Sequence, residues 1–203
     1  MVQIELTNEE TEMLREILLS HLSGLRMEIA YTDRKEFREF LRKRREFMEG
    51  FIQTLERELI AGGKEMINID RLRSVKILHG LSDWELQGIA HFFHEENAPE
   101  AMTLCEEGQR ADRLFVLEQG AVSIRSQKGE IYTISTPGEM FGWSFLVPPN
   151  RYTATAKTSA PSKLLVIKSP DFYYLIHKEP KMGVKIMDNL AQVVATRLKG
   201  PEA

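Results

Sequence analysis

Residues 78–93 read LHGLSDWELQGIAHFF, residues 106–124 EEGQRADRLFVLEQGAVSI, residues 137–156 PGEMFGWSFLVPPNRYTATA, residues 164–176 LLVIKSPDFYYLI and residues 190–198 LAQVVATRL. Between Met102 and Ile167 the apolar residues come in short alternating runs: RLFVLEQG, AVSIRSQKGE, IYTISTPGE, YTATAKT and KLLVIK. Val, Ile, Thr and aromatic side chains suit a pleated, half-buried surface and dominate these runs. Short strands at this spacing predict a β-sandwich or jelly roll. Gly108, Gly120, Gly129 and Gly138 punctuate the runs where turns need positive φ or close backbone approach. Helical segments flank the strands. Ser82 with Glu85 caps one that carries Leu86, Ile89, Ala90 and Phe93. Ser169 and Pro170 open a second as N-cap and N1. Pro180 opens a third, with Val184, Met187, Leu190, Val194 and Leu198 along it.

Upstream, the pattern is helical. The first 62 residues hold no proline. Leu14, Ile17, Leu18, Leu22, Leu25 and Ile29 recur at three- and four-residue steps, behind a Thr7–Glu10 capping box. Asp33 with Glu36 reads as a second cap. The next helix runs to about Leu59, with Phe37, Phe40, Leu41, Phe47, Met48, Phe51 and Leu55 on its inner side, and Gly62 and Gly63 end it. Two long helices joined by a tight turn make an antiparallel hairpin. Its phenylalanines exceed what one partner helix covers. Either two hairpins pair as a homodimer through residues 7–60, or the hairpin folds back on the rest of the chain. Arg34, Arg38, Arg42 and Arg45 share a stripe, but Glu36, Glu39, Glu46 and Glu49 interleave it, as on a solvated face.

The chain has 203 residues, 42% hydrophobic and 28% charged, with a formal net charge of −3. That balance argues against long disorder and against a dedicated nucleic-acid binder. No apolar run approaches the roughly 20 residues that span a bilayer. The one cysteine, Cys105, excludes an intrachain disulfide and suits a reducing, cytoplasmic setting. It reads as a strand-buried thiol. His91 and His94 read as neighbours on one helix without a third metal ligand. No P-loop, nucleophile elbow or triad spacing is evident, so no catalytic residue, metal site or enzyme activity is expected.

The ordered features from the Gly80-Leu81-Ser82 entry helix through Pro137-Gly138-Glu139 and Phe141-Gly142 resemble a cyclic-nucleotide-binding domain. The type is that of catabolite activators and protein-kinase-A regulatory subunits. The resemblance spans about 120 residues and implies an eight-stranded β roll bracketed by helices. The fold expected is therefore α+β: a helical hairpin (1–63), a connector (64–78) and a jelly-roll-like domain flanked by helices (79–203).

The resemblance also places a phosphate-binding cassette at Phe141 to Ala156. Such a cassette needs backbone N–H groups facing the anion, an arginine for the phosphate and a carboxylate for the ribose hydroxyl. Its implied ligand-binding residues are Phe141, Gly142, Trp143, Ser144, Arg151, Tyr152 and Thr153, with Arg151 in the place of the family's phosphate arginine. Trp143 stands where the family carries glutamate. Indole has one donor and no acceptor, so it cannot accept from a ribose hydroxyl; Ser144 offers a weaker substitute.

The resemblance implies a regulatory protein that binds a small ligand and relays this through its helices to a protein partner. No resident cofactor is required, and the candidate ligand is a cyclic nucleotide, cAMP or cGMP. Because the chain stops after TRLKGPEA, no DNA-recognition helix and no direct nucleic-acid contact are expected; lacking an apolar run, the chain is expected to make no membrane contact. The alternative is a ligand-free β roll in which Trp143 fills the pocket and the domain serves as a scaffold.

Overall fold

Thr7 and Glu10 start the first helix. The Glu10 amide donates to Thr7 Oγ1 at 3.2 Å, and the Thr7 amide donates back to the Glu10 carboxylate at 2.9 Å. Helix α1 (Asn8–Tyr31) then runs 24 residues and α2 (Lys35–Ala61) 27. The turn between them is fastened by Arg38, whose guanidinium donates to the Thr32 carbonyl at 2.8 and 2.5 Å. The computed structural model describes residues 6–61, 66–129 and 131–198. Gly62 and Gly63, the expected stop of α2, lie outside them. The chain divides into two compact units, Met1–Glu65 and Met66–Ala203.

Within the first unit the helices mate through Leu19, Leu22 and Leu25 on α1 and Leu41, Met48, Ile52, Leu55 and Leu59 on α2, all buried. A polar pair lies among them. Arg15 Nε sits 3.6 Å from Glu56 Oε1, with the side chains 3% and 7% exposed. The expected inner side of α2 needs correcting. Leu41, Met48 and Leu55 are buried, but Phe37, Phe40, Phe47 and Phe51 are 38–72% exposed. At about 100° per residue, the phenylalanines fall on the face adjoining the one that meets α1. Ile17, assigned to the α1 stripe, is exposed as well.

The second unit opens with α3 (Ile69–Arg73), a 3-10 turn at Lys76–Leu78, and α4 (Asp83–Ile89), which carries the expected Ser82–Glu85 capping box. An antiparallel sheet follows: β1 (Phe93–Ala98), β2 (Thr103–Cys105), β3 (Arg113–Arg125), β4 (Ile131–Ile134), β5 (Met140–Phe141) and β6 (Thr155–Lys168). The order is β1-β6-β3-β4, with β2 also on β6 and β5 also on β3. Helices α5 (Ser169–Lys178) and α6 (Pro180–Leu198) close the unit. The N-cap of α5 is Lys168, one residue earlier than the Ser169 cap expected.

Six strands are described where the resemblance implied eight, because the sequence runs fuse. RLFVLEQG and AVSIR join as β3, and TAKT and KLLVIK join as β6. The long pair bends where its register shifts, between Leu117 and Val122. Gly120 sits at that bend with φ +93°; a Cβ there would lie 2.4 Å from the Pro161 carbonyl oxygen. Only glycine lets the two backbones approach so closely. Leu114–Leu117 and Leu164–Ile167 are buried without alternation, as expected where a sheet is covered on both faces.

Charged groups pin α3 to the sheet. Arg71 makes a two-pronged contact with Glu118, at 2.8 and 2.6 Å, and reaches Glu95 at 2.8 Å. Glu95 also takes Lys163 at 3.0 Å. Hydrogen bonds from Asn97 and Lys163 hold its carboxyl down at about 2.

Candidate functional site

The site grows from the short β5–β3 pairing. Phe141 pairs with Phe115, their rings stacked at 4.9 Å. Gly142 follows with φ +92°, and a Cβ there would meet the Arg113 carbonyl oxygen at 2.7 Å. The left-handed conformation and this approach together demand glycine. Gly142→Ala is expected to cost about 2 kcal/mol of stability or more, from left-handed strain and the displaced carbonyl. Urea unfolding measures it, and a loss below about 0.5 kcal/mol, the range of ordinary surface substitutions, contradicts this reading.

Past Gly142 the chain makes a 3-10 turn, Trp143–Leu146. The Phe145 ring is buried edge-on against Phe172 and Tyr173, with centroids 5.5 and 5.8 Å away. The Phe145 carbonyl accepts from Tyr173 Oη at 2.8 Å and from Asn150 Nδ2. The turn is therefore fastened to α5. Residues 150–152 run back along 108–111: the Gly108 amide donates to the Tyr152 carbonyl at 2.8 Å and the Tyr152 amide to Gln109 at 2.9 Å. Tyr152 Oη accepts from the amides of Asp112 and Arg113 at 3.3 and 3.1 Å and donates to Asp112 Oδ1 at 3.0 Å. Burial pushes its phenol up to about 12.

Behind this turn lies a cleft of about 70 Å³ lined by Phe141, Gly142, Trp143, Ser144, Tyr152 and Thr153. Six of the seven expected ligand residues thus come together. Arg151 does not line it; its exposed side chain donates from Nη1 to the Gly108 carbonyl at 2.6 Å. On an extended segment neighbouring side chains point opposite ways, so burying Tyr152 turns Arg151 outward. The cation lining the cleft is Arg197, from the last turn of α6. Its Cζ lies 4.8 Å from the Trp143 ring centroid and 5.6 Å from that of Tyr132. Among the described residues no carboxylate lines the cleft.

Sequence reasoning did not single out Arg197. The signal was its place on the α6 stripe of Ile186, Leu190 and Val193, where an arginine takes an apolar position. Cys105 also lines the cleft, buried at the end of β2, and desolvation pushes its thiol up to about 11. That is the reverse of an activated nucleophile. The two histidines expected on one helix are separated: His91 sits in a 3-10 turn at Ala90–Phe92 and His94 in β1. Among the described residues, no group of three or more His, Cys, Asp or Glu could hold a metal ion. None of the described helices is long and apolar enough to cross a membrane.

A β roll that carries a glycine-led turn between β5 and β6, closed by C-terminal helices, matches a described family. The cyclic nucleotide-binding domain model covers residues 95–179. Residues 95–179 form a cyclic nucleotide-binding domain. The cyclic AMP receptor protein of Thermus thermophilus is 24% identical over 132 residues, 63% of this chain and 59% of the relative. The chain thus spans about three fifths of the length of the curated relative it matches. A candidate cyclic nucleotide-binding protein from Geobacter metallireducens is similar in structure, with a TM-score of 0.59 and 28% identity over 66% of this chain and 99% of that one. The Thermus thermophilus catabolite activator protein gives a TM-score of 0.51 and 26% identity, over 61% and 58% of the two chains. The segment Phe141 to Ala156, where a cassette is expected, lies within the matched residues. The cleft behind it is smaller than the roughly 300 Å³ at which pockets for drug-sized ligands begin. Trp143 and Arg197 both line it, in contact with each other.

Proposed function

We propose that the chain is a non-catalytic regulatory protein. Its cyclic nucleotide-binding domain takes a small phosphate-bearing ligand of the cyclic nucleotide class, cAMP or cGMP, into the cleft behind Trp143. The single observation that supports this is Arg197: a guanidinium on aromatic rings, inside a cleft that no described carboxylate lines. Cation–π contacts are worth about 0.5–2 kcal/mol each. A charge-assisted hydrogen bond to phosphate contributes about 1.5–3 kcal/mol. A phosphate can therefore compete for the guanidinium, and its entry must displace the last turn of α6. A ligand shifts an equilibrium only through contacts that differ between the states, and Arg197 supplies that difference. Gly142 and Ser144 would present backbone and hydroxyl to the anion, and Thr153 would line the pocket opposite. Tyr173 and Phe172 fasten the turn to α5, so its movement carries into the C-terminal helices and onward to a protein partner.

Titration calorimetry with cAMP, cGMP and 2′-deoxy-cAMP tests this. Heat of binding is expected from at least one ribonucleotide. Without a carboxylate acceptor, the 2′-hydroxyl should contribute at most about one neutral hydrogen bond, so the deoxy analogue should bind within about tenfold. A second reading, a ligand-free interaction module, is favoured by the small cleft. It wins if neither the wild type nor Trp143→Ala, which widens the cleft, gives heat with any of the three.

A further inference from the structure

Helix α2 carries a second seam that its partner α1 does not use. Phe37, Phe40, Arg44, Phe47 and Phe51 recur at steps of three, four, three and four residues. That is the heptad spacing by which one helix packs along another. The residues facing α1 form a different set, Leu41, Met48, Ile52, Leu55 and Leu59. The four phenylalanines on the unused seam are 47%, 59%, 72% and 38% exposed. They pair along the helix, Phe37 on Phe40 and Phe47 on Phe51, each with centroids 6.2 Å apart. The seam is thus a preformed aromatic ridge with a gap at Arg44, whose Nη2 lies 2.8 Å from His21 Nε2 on α1.

We infer that this ridge is a homodimer interface in which α2 packs antiparallel against α2 of a second copy, about a two-fold axis beside Arg44. Three observations select that occupant. The ridge reads nearly the same in both directions from Arg44. Reversal about a two-fold therefore brings Phe37 opposite Phe51 and Phe40 opposite Phe47, the self-complementarity an isologous interface needs. A buried phenylalanine covers about 150–250 Å², so the exposed fractions here amount to several hundred Å². That is the patch size that marks interaction sites on a soluble protein. It is also a large share of the ~800 Å² each partner gives to a specific interface. Finally, α2 carries seven basic and six acidic residues, a balance that offers little to an anionic membrane or a nucleic acid.

The test uses the full chain. Sedimentation or light scattering at about ten micromolar should give the mass of two chains, well above a tight interface's dissociation constant. The pair Phe40→Glu and Phe47→Glu should weaken the dimer by about hundredfold or more, since central aromatic anchors carry most of an interface's energy. Circular dichroism checks that the hairpin survives. A second experiment needs no disruptive change. Arg44→Cys should form a disulfide with its own copy under mild oxidation, because the axis places the two residues together; native Cys105 is buried and does not compete. Phe37→Cys alone should not, whereas a mixture of Phe37→Cys and Phe51→Cys chains should. A wild-type monomer overturns the inference. So does Phe37→Cys coupling to itself, which marks a parallel pair, or the chain sedimenting with anionic phosphatidylglycerol vesicles through the same phenylalanines.

Discussion

Arg15→Ala is expected to destabilise the N-terminal hairpin by about 3–5 kcal/mol, the cost of removing one member of a buried ion pair. Arg15 and Glu56 are almost wholly covered, 3.6 Å apart between two helices whose other buried residues are mostly leucine, isoleucine and methionine. Removing the guanidinium takes away the buried positive charge 3.6 Å from the Glu56 carboxylate. A two-helix unit has few other long-range contacts to absorb the loss. Thermal unfolding followed by circular dichroism should show an earlier helical transition. The pair as a whole contributes much less, because burying two charges costs nearly what their attraction returns. Arg15→Leu combined with Glu56→Leu should therefore recover most of the stability lost in Arg15→Ala. A single variant within about 0.5 kcal/mol of wild type, the range of ordinary surface changes, contradicts the description of this pair.

The ion pair also shows where the sequence was legible. Both caps that rest on a serine or threonine with glutamate three residues later formed as read, at Thr7–Glu10 and Ser82–Glu85. Such caps are local chemistry, decided within four residues. The β roll and its helical brackets were legible for a similar reason, since alternation and glycine punctuation are written along each strand. What the sequence did not settle was which face of an amphipathic helix meets which neighbour. Hydrophobic periodicity puts the α2 phenylalanines on one inner side with Leu41, Met48 and Leu55. Hydrophobicity alone cannot choose between two adjoining stripes when both are apolar, and the aliphatic one packs on α1. The fusion of strand runs was hidden for another reason. A turn and a bend both call for glycine, and Gly120 is a bend that keeps β3 continuous.

The same limit applies to the cleft. Six of its residues could be placed from the β5–β6 segment, since they are close in sequence and their order fixes their geometry. Arg197 could not, because it lies more than forty residues further on, in the last turn of α6. Arg151 sits next to the cassette in sequence, and one step of strand alternation sends its side chain to the opposite face, onto the Gly108 carbonyl.

Exchanging the two arginines' roles makes the second large expectation. Arg197→Ala should weaken the binding of cAMP or cGMP by about tenfold to a hundredfold, the loss of one charge-assisted hydrogen bond to phosphate. Arg151→Ala, which removes only an exposed bond to a backbone carbonyl, should leave affinity within about twofold, the small effect of an ordinary surface site. The aromatic contacts of Arg197 would compete with a phosphate for the guanidinium, so its net effect depends on which is stronger. Two partly exposed cation–π contacts come to about 1–2 kcal/mol against about 1.5–3 kcal/mol for the charge-assisted bond, and loss of affinity should win. Hydrogen exchange in α6 should rise on ligand binding in wild type, since the last turn must move, and stay unchanged in Arg197→Ala.

The measurement that bears most directly on the account is calorimetric titration of the full chain with cAMP and cGMP, run side by side on wild type, Arg197→Ala and Arg151→Ala. Heat is expected with wild type, an affinity at least about tenfold weaker with Arg197→Ala and an almost unchanged one with Arg151→Ala. Tight binding that survives Arg197→Ala and disappears with Arg151→Ala would contradict it, as would a wild-type chain that gives no heat with either nucleotide.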